Sequence, residues 1–206
     1  MRDEPARLRE ARGNGVPLLL TAGDVRIERA AEWPLWMLAV SRAIADPAAV
    51  IERAVGYAAP RRPNHYARSS KGDGFCLWFS PHRWLVRCDV GDPFAERLAH
   101  GMSDATACAV NVTGSMLGVH LIGKGARGIL SQGCHLDLSS RAFPAGMGAR
   151  TLFVFDAAVV LCGIVSPDSF TLYYDASLDA PMTDWLAAAA IGNRDLQSSS
   201  RNYNGT

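Results

Sequence analysis

Apolar and polar positions change rhythm several times along the chain, and each change marks an element. Over residues 25–40, VRIERAAEWPLWMLAV, alternation gives way to a nearly continuous apolar run. That predicts a strand or a bent pair of strands, with Pro34 at the bend. Asp46-Pro47 then opens a helix: Asp46 suits the N-cap, Pro47 the first turn, and Val50, Ile51, Ala54 and Val55 form one apolar stripe. Residues 56–63 end it. Tyr66, the Lys71-Gly72-Asp73-Gly74 turn and the apolar run Phe75 to Phe79 read as a hairpin leading into a buried strand.

The next stretch has a counterpart further on. Residues 75–100, FCLWFSPHRWLVRCDVGDPFAERLAH, run strand, Ser-Pro turn, strand, Asp, helix. Residues 161–188, LCGIVSPDSFTLYYDASLDAPMTDWLAA, follow the same order. With Ser80-Pro81 set on Ser166-Pro167, Cys76 falls on Cys162, Trp84 on Phe170 and Asp89 on Asp175. Upstream, a strand at residues 35–40 matches one at 117–122, and a helix at 49–55 matches one at 125–132. Each half then reads strand, helix, two strands, helix, which predicts an α+β domain over residues 18–191 with halves of about 18–105 and 106–191. Residues 1–17 read as a solvated N-terminal arm. Residues 192–206, past the last periodic helix, are rich in Ser and Asn and read as a flexible or docking tail.

Composition narrows the classes of function. The chain has 206 residues, 49% of them apolar, which suits a folded domain with its own core. Lys+Arg number 21 against 20 Asp+Glu, so a phosphate-neutralising surface is not expected, and nucleic acid is excluded as a partner. Lys71 and Lys124 are the only lysines. The arginine bias fits either GC-rich codon usage or a surface covered by partners, since guanidinium groups are favoured at interfaces. The longest apolar runs, such as residues 154–164 with Asp156 and Gly163 inside, fall short of a membrane span. The start of the chain carries both signs of charge and lacks the apolar core of a signal peptide. Five cysteines, an odd number without a CxxC pair, fit a reducing cytoplasm and a role as small buried apolar groups.

Candidates for chemistry are few. Ser115 lies in Thr113-Gly114-Ser115-Met116-Leu117, which lacks the closing glycine of a nucleophile elbow, and reads as a turn residue. Cys134-His135 pairs a thiol with an imidazole, but neighbours on an extended segment point apart. Gly133 there reads as a helix C-cap, with Cys134 and Leu136 entering the core. His65, His82, His100, His120 and His135 are scattered without ligand spacing, so no metal site is expected. Gly123-Lys124-Gly125 joins a strand to a helix and matches no complete phosphate loop; a tight turn explains it. Trp78, Trp84 and Trp185 read as core. Trp33 and Trp36, beside Pro34, and Arg61 with Arg62 are the candidate interface anchors, because aromatics and arginines near breaks in regular structure suit that role.

One block is more distinctive. Residues 121–138, LIGKGARGILSQGCHLDL, continue into Arg141-Ala142-Phe143-Pro144. Gly123, Ala126, Leu130, Gly133, Cys134, Asp137, Leu138, Phe143, Pro144, Gly146, Thr151 and Leu152 follow a spacing that resembles the gamma subunit of heterotetrameric sarcosine oxidase. Leu77-Trp78-Phe79-Ser80-Pro81 with Trp84-Leu85 is similar to that family's first block, and Ser177, Trp185 and Leu186 to its ending. The likeness covers about residues 25–190. Ser80 stands where the family has glycine, His82-Arg83 replaces an acidic pair, and the N-terminal arm is longer, which leaves a related N-methyl amine beside sarcosine as the expected substrate.

The resemblance implies a fold like the folate-binding domains of glycine-cleavage aminomethyltransferases and a noncatalytic role. It implies that this chain holds no cofactor, catalytic residue or metal. FAD, FMN, NAD and tetrahydrofolate are then expected in the alpha and beta subunits, and zinc in the delta subunit. Alpha is the expected main contact, in a flavoenzyme that oxidatively demethylates sarcosine or a related amine, giving formaldehyde or methylenetetrahydrofolate. A free-standing tetrahydrofolate-binding or aminomethyltransferase-like protein is the alternative. A redox protein built on Cys134 is a third reading.

Overall fold

A computed structural model describes residues 18–70, 74–88, 93–94, 107–154, 157–163 and 168–203, with only the backbone for 158–162 and 193–203. The elements are β1 (Leu18–Ala22), β2 (Val25–Arg29), β3 (Leu35–Val40), α1 (Pro47–Val55), β4 (Tyr66–Arg68), β5 (Phe75–Ser80), β6 (Arg83–Arg87), β7 (Ala107–Asn111), β8 (Met116–Ile122), α2 (Ala126–Ser131), β9 (Gly148–Phe153), β10 (Ala157–Gly163), β11 (Ser169–Asp175) and α3 (Asp179–Tyr203). The architecture is strand-rich α+β, with a six-stranded sheet ordered β1-β2-β8-β11-β10-β9 and a five-stranded sheet ordered β4-β5-β6-β3-β7.

Two compact units result, and neither is a contiguous piece of chain. One holds the described residues up to Ala31, Leu117–Ala145 and the described residues from Thr151 on; the other holds Glu32–Met116 and Gly146–Arg150. A single cut near residue 105 does not separate them. The reason is strand exchange: β2, early in the chain, pairs with β8, while β7, past mid-chain, pairs with β3.

In the five-stranded unit the local sequence explains the elements directly. Pro34 separates β2 from β3, as the bend predicted. Asp46 caps α1 by accepting a hydrogen bond from the Ala49 N–H at 3.2 Å, Pro47 follows it, and Gly56 closes the helix in the left-handed region. Ala48, Val50, Ile51, Ala54 and Val55 are all buried, in one cluster with Leu38, Val40, Cys76, Trp84 and Val86 of the sheet. Register keeps those positions on one face, with Leu38 opposite both Trp84 and Ala109. Trp84 also donates its indole N–H to the Pro60 carbonyl at 2.9 Å, so its one polar atom is satisfied inside. β4 and β5 pair as the predicted hairpin. The Lys71–Asp73 turn and the helix expected after Asp89, apart from Pro93 and Phe94, lie outside the described residues.

In the six-stranded unit, Phe170, Leu172 and Tyr174 of β11 are fully buried, as are Met182 and Leu186 of α3. The backbone of α3 continues through residues 192–203, where composition predicts a flexible or docking tail. Once nucleated, a helix gains one hydrogen bond for each residue added, so a polar stretch free of proline can extend it without an apolar stripe.

Ile51 is completely buried at the centre of the α1 cluster. Ile51→Ala is expected to cost about 2–5 kcal/mol in urea denaturation of the full chain, and an unchanged midpoint would contradict this packing.

Candidate interaction surface

The four anchors expected from sequence, all in the five-stranded unit, find different surroundings. Trp33 is half-buried, and the Arg87 guanidinium lies 5.0 Å from its ring centroid and 5.3 Å from that of Phe75, a cation shared by two rings. Trp36 is also half-buried, but it packs against the α1 cluster and meets Phe94 edge-on at 5.8 Å. Arg61 is exposed and forked between Asp46 and Glu52. It ties the cap of α1 to the loop that follows, and its charge holds the Asp46 carboxyl below the usual range. Glu52 accepts the Ala59 N–H as well, at 3.2 Å. Arg62 is exposed. Thus Arg61 and Trp36 serve the unit's own fold, while Trp33 and Arg62 retain surface.

The residues considered for chemistry lie in varied surroundings. Ser115 is an exposed turn residue whose N–H donates to the Val112 carbonyl at 3.0 Å. Cys134 is buried and His135 exposed, so the two do not share an environment. Burial pushes the Cys76 thiol up, away from reactivity. Cys108 is exposed, against the expectation that the cysteines are buried, because β7 is the end strand of its sheet and the α1 cluster covers only the face of Ala107 and Ala109. His65 and His135 are exposed, His120 bonds Thr171 at 2.9 Å, and His100 lies outside the described residues. His82, expected in the open turn, is half-buried, and among the described residues its Nδ1 has no hydrogen-bond partner. No group of three His, Cys, Asp or Glu among the described residues could hold a metal. No helix there is long and apolar enough to cross a membrane.

The distinctive block at residues 121–146 is built from packing constraints. Gly123 has φ +125°, and a Cβ there would fall 1.8 Å from the Asp24 carbonyl oxygen. Its N–H donates to the Asp168 carbonyl at 2.9 Å, so the Gly123-Lys124-Gly125 turn does not offer that donor to a phosphate. Gly133 is not the left-handed cap expected of it; Gln132 ends α2 in the right-handed region. A Cβ on Gly133 would come within 2.9 Å of Phe153, Val154 and Trp185, so glycine is there for close approach. Ala126 and Leu130 are fully buried, and Leu138 and Phe143 nearly so. Arg127 gathers the loop after α2. It donates to the Leu138 and Phe143 carbonyls and lies 4.9 Å from the Phe170 ring centroid.

A polar cluster missed in the sequence lies in the six-stranded unit. The Arg29 guanidinium makes a forked pair with the Asp179 carboxylate, and Tyr174 donates to Asp179 Oδ1 at 2.9 Å. The cluster joins β2 to the end of β11 and the start of α3. Arg29 holds the Asp179 carboxyl below its usual range, while burial, with Asp179 nearby, raises the Tyr174 phenol. Asp at the start of a helix is a sequence signal; that its partner is an arginine 150 residues earlier is not.

No family model and no curated protein matches the chain at the level of sequence. Solved structures do. One chain of heterotetrameric sarcosine oxidase from Corynebacterium sp. U-96, in complex with pyrrole 2-carboxylate, superposes with a TM-score of 0.75 at 19% identity, covering 84% of this chain and 88% of that one. The two chains share a fold. The glycine cleavage system aminomethyltransferase T from Bartonella henselae superposes at 0.56 and 13% identity; the match covers 81% of this chain but 46% of the enzyme. The aminomethyltransferase-like fold implied by the resemblance is therefore present here.

Asp179→Asn removes the carboxylate and leaves Arg29 half-buried beside the phenol. Because the cluster is partly solvated, a loss of about 1–2 kcal/mol is expected. The folded-state titration of Asp179 lies below the unfolded one, so its contribution is full above the unfolded value and disappears as pH falls through the folded value. Denaturation midpoints of wild type and variant should therefore differ near neutrality and converge in acid. A gap that widened in acid would contradict the assignment.

Proposed function

We propose that this chain is the gamma-type subunit of a cytoplasmic, heterotetrameric sarcosine oxidase-like flavoenzyme that demethylates sarcosine or a related N-methyl amine. In this reading it is noncatalytic and stabilises the assembly by packing on the alpha subunit, with beta and delta completing the tetramer. The observation that carries the reading is the shared fold with a sarcosine oxidase chain over 84% of this chain and 88% of that one. The block resembling the gamma family supports it: its Ala126, Leu130, Cys134, Leu138 and Phe143 are buried, and its Gly123 and Gly133 lie where the chain leaves no room for a side chain.

Duplication of one ancestral unit belongs to the same proposal. Read from β9 to β2, the larger sheet runs β9-β10-β11-β8-β2, and the smaller runs β4-β5-β6-β3-β7 in corresponding order. FAD, FMN, NAD, zinc and tetrahydrofolate are assigned to the partner subunits. The aminomethyltransferase likeness favours the second reading, a free-standing tetrahydrofolate-binding protein.

Gentle purification of the tagged full chain from its native host separates the two. Three companion subunits, a flavin absorption spectrum and sarcosine-dependent electron transfer are expected. A lone colourless protein that binds tetrahydrofolate saturably would overturn the proposal in favour of the second reading.

A further inference from the structure

Four strands end the two sheets, and the sequence treats them differently. β1 shows an irregular register against β2 between Leu18 and Leu20. β4 is only three residues long and ends in the exposed Arg68. β9 carries the exposed Arg150. Bulges, shortness and charge are the devices that keep sheet edges from pairing with another chain. β7, Ala-Cys-Ala-Val-Asn, has none of them: five residues with no charge, no proline and a regular register along β3.

The hydrogen bonding of β7 is also half used. Val112 donates to the Leu35 carbonyl at 2.8 Å, so alternate residues Val110 and Cys108 turn their backbone groups toward β3. Ala107, Ala109 and Asn111 then turn theirs outward, where no described strand meets them. Ala107 and Ala109 pack their side chains on the α1 cluster, while Cys108 and Val110 are exposed, Val110 at 56%. The corresponding strand of the larger sheet, β2, is flanked by β1, an uncharged Leu-Leu-Leu-Thr-Ala segment running antiparallel to it. The smaller sheet therefore matches the larger one except for a strand at this position.

We infer that the free edge of β7 takes an extended, uncharged, apolar segment of a partner subunit, which adds to the five-stranded sheet as β1 does to the six-stranded one. Backbone hydrogen bonds at Ala107, Ala109 and Asn111 supply affinity, and apolar side chains beside Cys108 and Val110 supply selectivity. An acidic or basic segment is disfavoured, because nothing on β7 would neutralise it. The inference rests on the proposed role as a subunit and names the surface through which it acts.

Residue-resolved amide hydrogen exchange on the native complex tests this with an internal control. The β3-facing amides of Cys108 and Val110 are slow whether or not the edge is filled. In the complex, the outward amides of Ala109 and Asn111 should be comparably slow. Fast exchange there, beside slow Cys108 and Val110, would overturn the inference. Ala109→Pro removes an outward N–H without touching the β3 ladder, and should lower recovery of companion subunits at least tenfold; Ala109→Val should not. Companions without flavin, with the outward amides slow, would sink the proposed oxidase and leave the docking edge standing. Companions with flavin and fast outward amides would do the reverse. A chain purified alone, or protection that rises with its own concentration through β7–β7 pairing, would overturn the partner segment.

Discussion

Each sheet depends on a strand that the chain delivers from a distance, and this constraint governs the rest. β2 must pair with β8 and β7 with β3, so neither unit can close its sheet from one continuous stretch. Loop closure over such separations costs entropy before any contact repays it, and the return must come from dense burial around the central strands. The burial pattern agrees. Leu38 on β3, Leu121 on β8 and Phe170, Leu172 and Tyr174 on β11 are fully enclosed. The Arg29–Asp179–Tyr174 cluster then fastens the exchanged strand β2 to the last helix, using charge where the sheet gives way to the helix.

Dense packing also accounts for residue types in the most recognisable part of the sequence. Gly123 is needed where the chain turns tightly from β8 into α2, and Gly133 where α2 meets the aromatic rings of Phe153 and Trp185. Cys134, Leu138 and Phe143 follow as buried positions, and Arg127 binds the loop carbonyls that would otherwise lack donors. Glycine, alanine and cysteine at these places are conditions of the fold. In the proposed role as a subunit, that rigidity would support the edge of β7 as a docking strand.

Much of this was legible in the sequence. The Asp46-Pro47 start of α1, the break at Pro34 and the hairpin of β4 with β5 all rest on local rules of capping, turns and alternation. What escaped is non-local. The pairing of Arg29 with Asp179, the fork of Arg61 onto Asp46 and Glu52, and the exchange of β2 and β7 depend on which segments meet. Gly133 shows the difference within one residue: its place after a helix was right, but the reason lies in rings far along the chain. Cys108 was misjudged because burial on an outer strand depends on which side faces the core. The helical backbone of residues 192–203 was missed because composition reports tertiary support, and a helix already nucleated can run on without it.

In the proposed role this chain supplies structure to an assembly, and the chemistry belongs to its neighbours. An experimental map of the native complex tests it most directly. Every flavin, nicotinamide, folate and metal in that map should be held by side chains of other subunits. A cofactor bonded to side chains of this chain would contradict it.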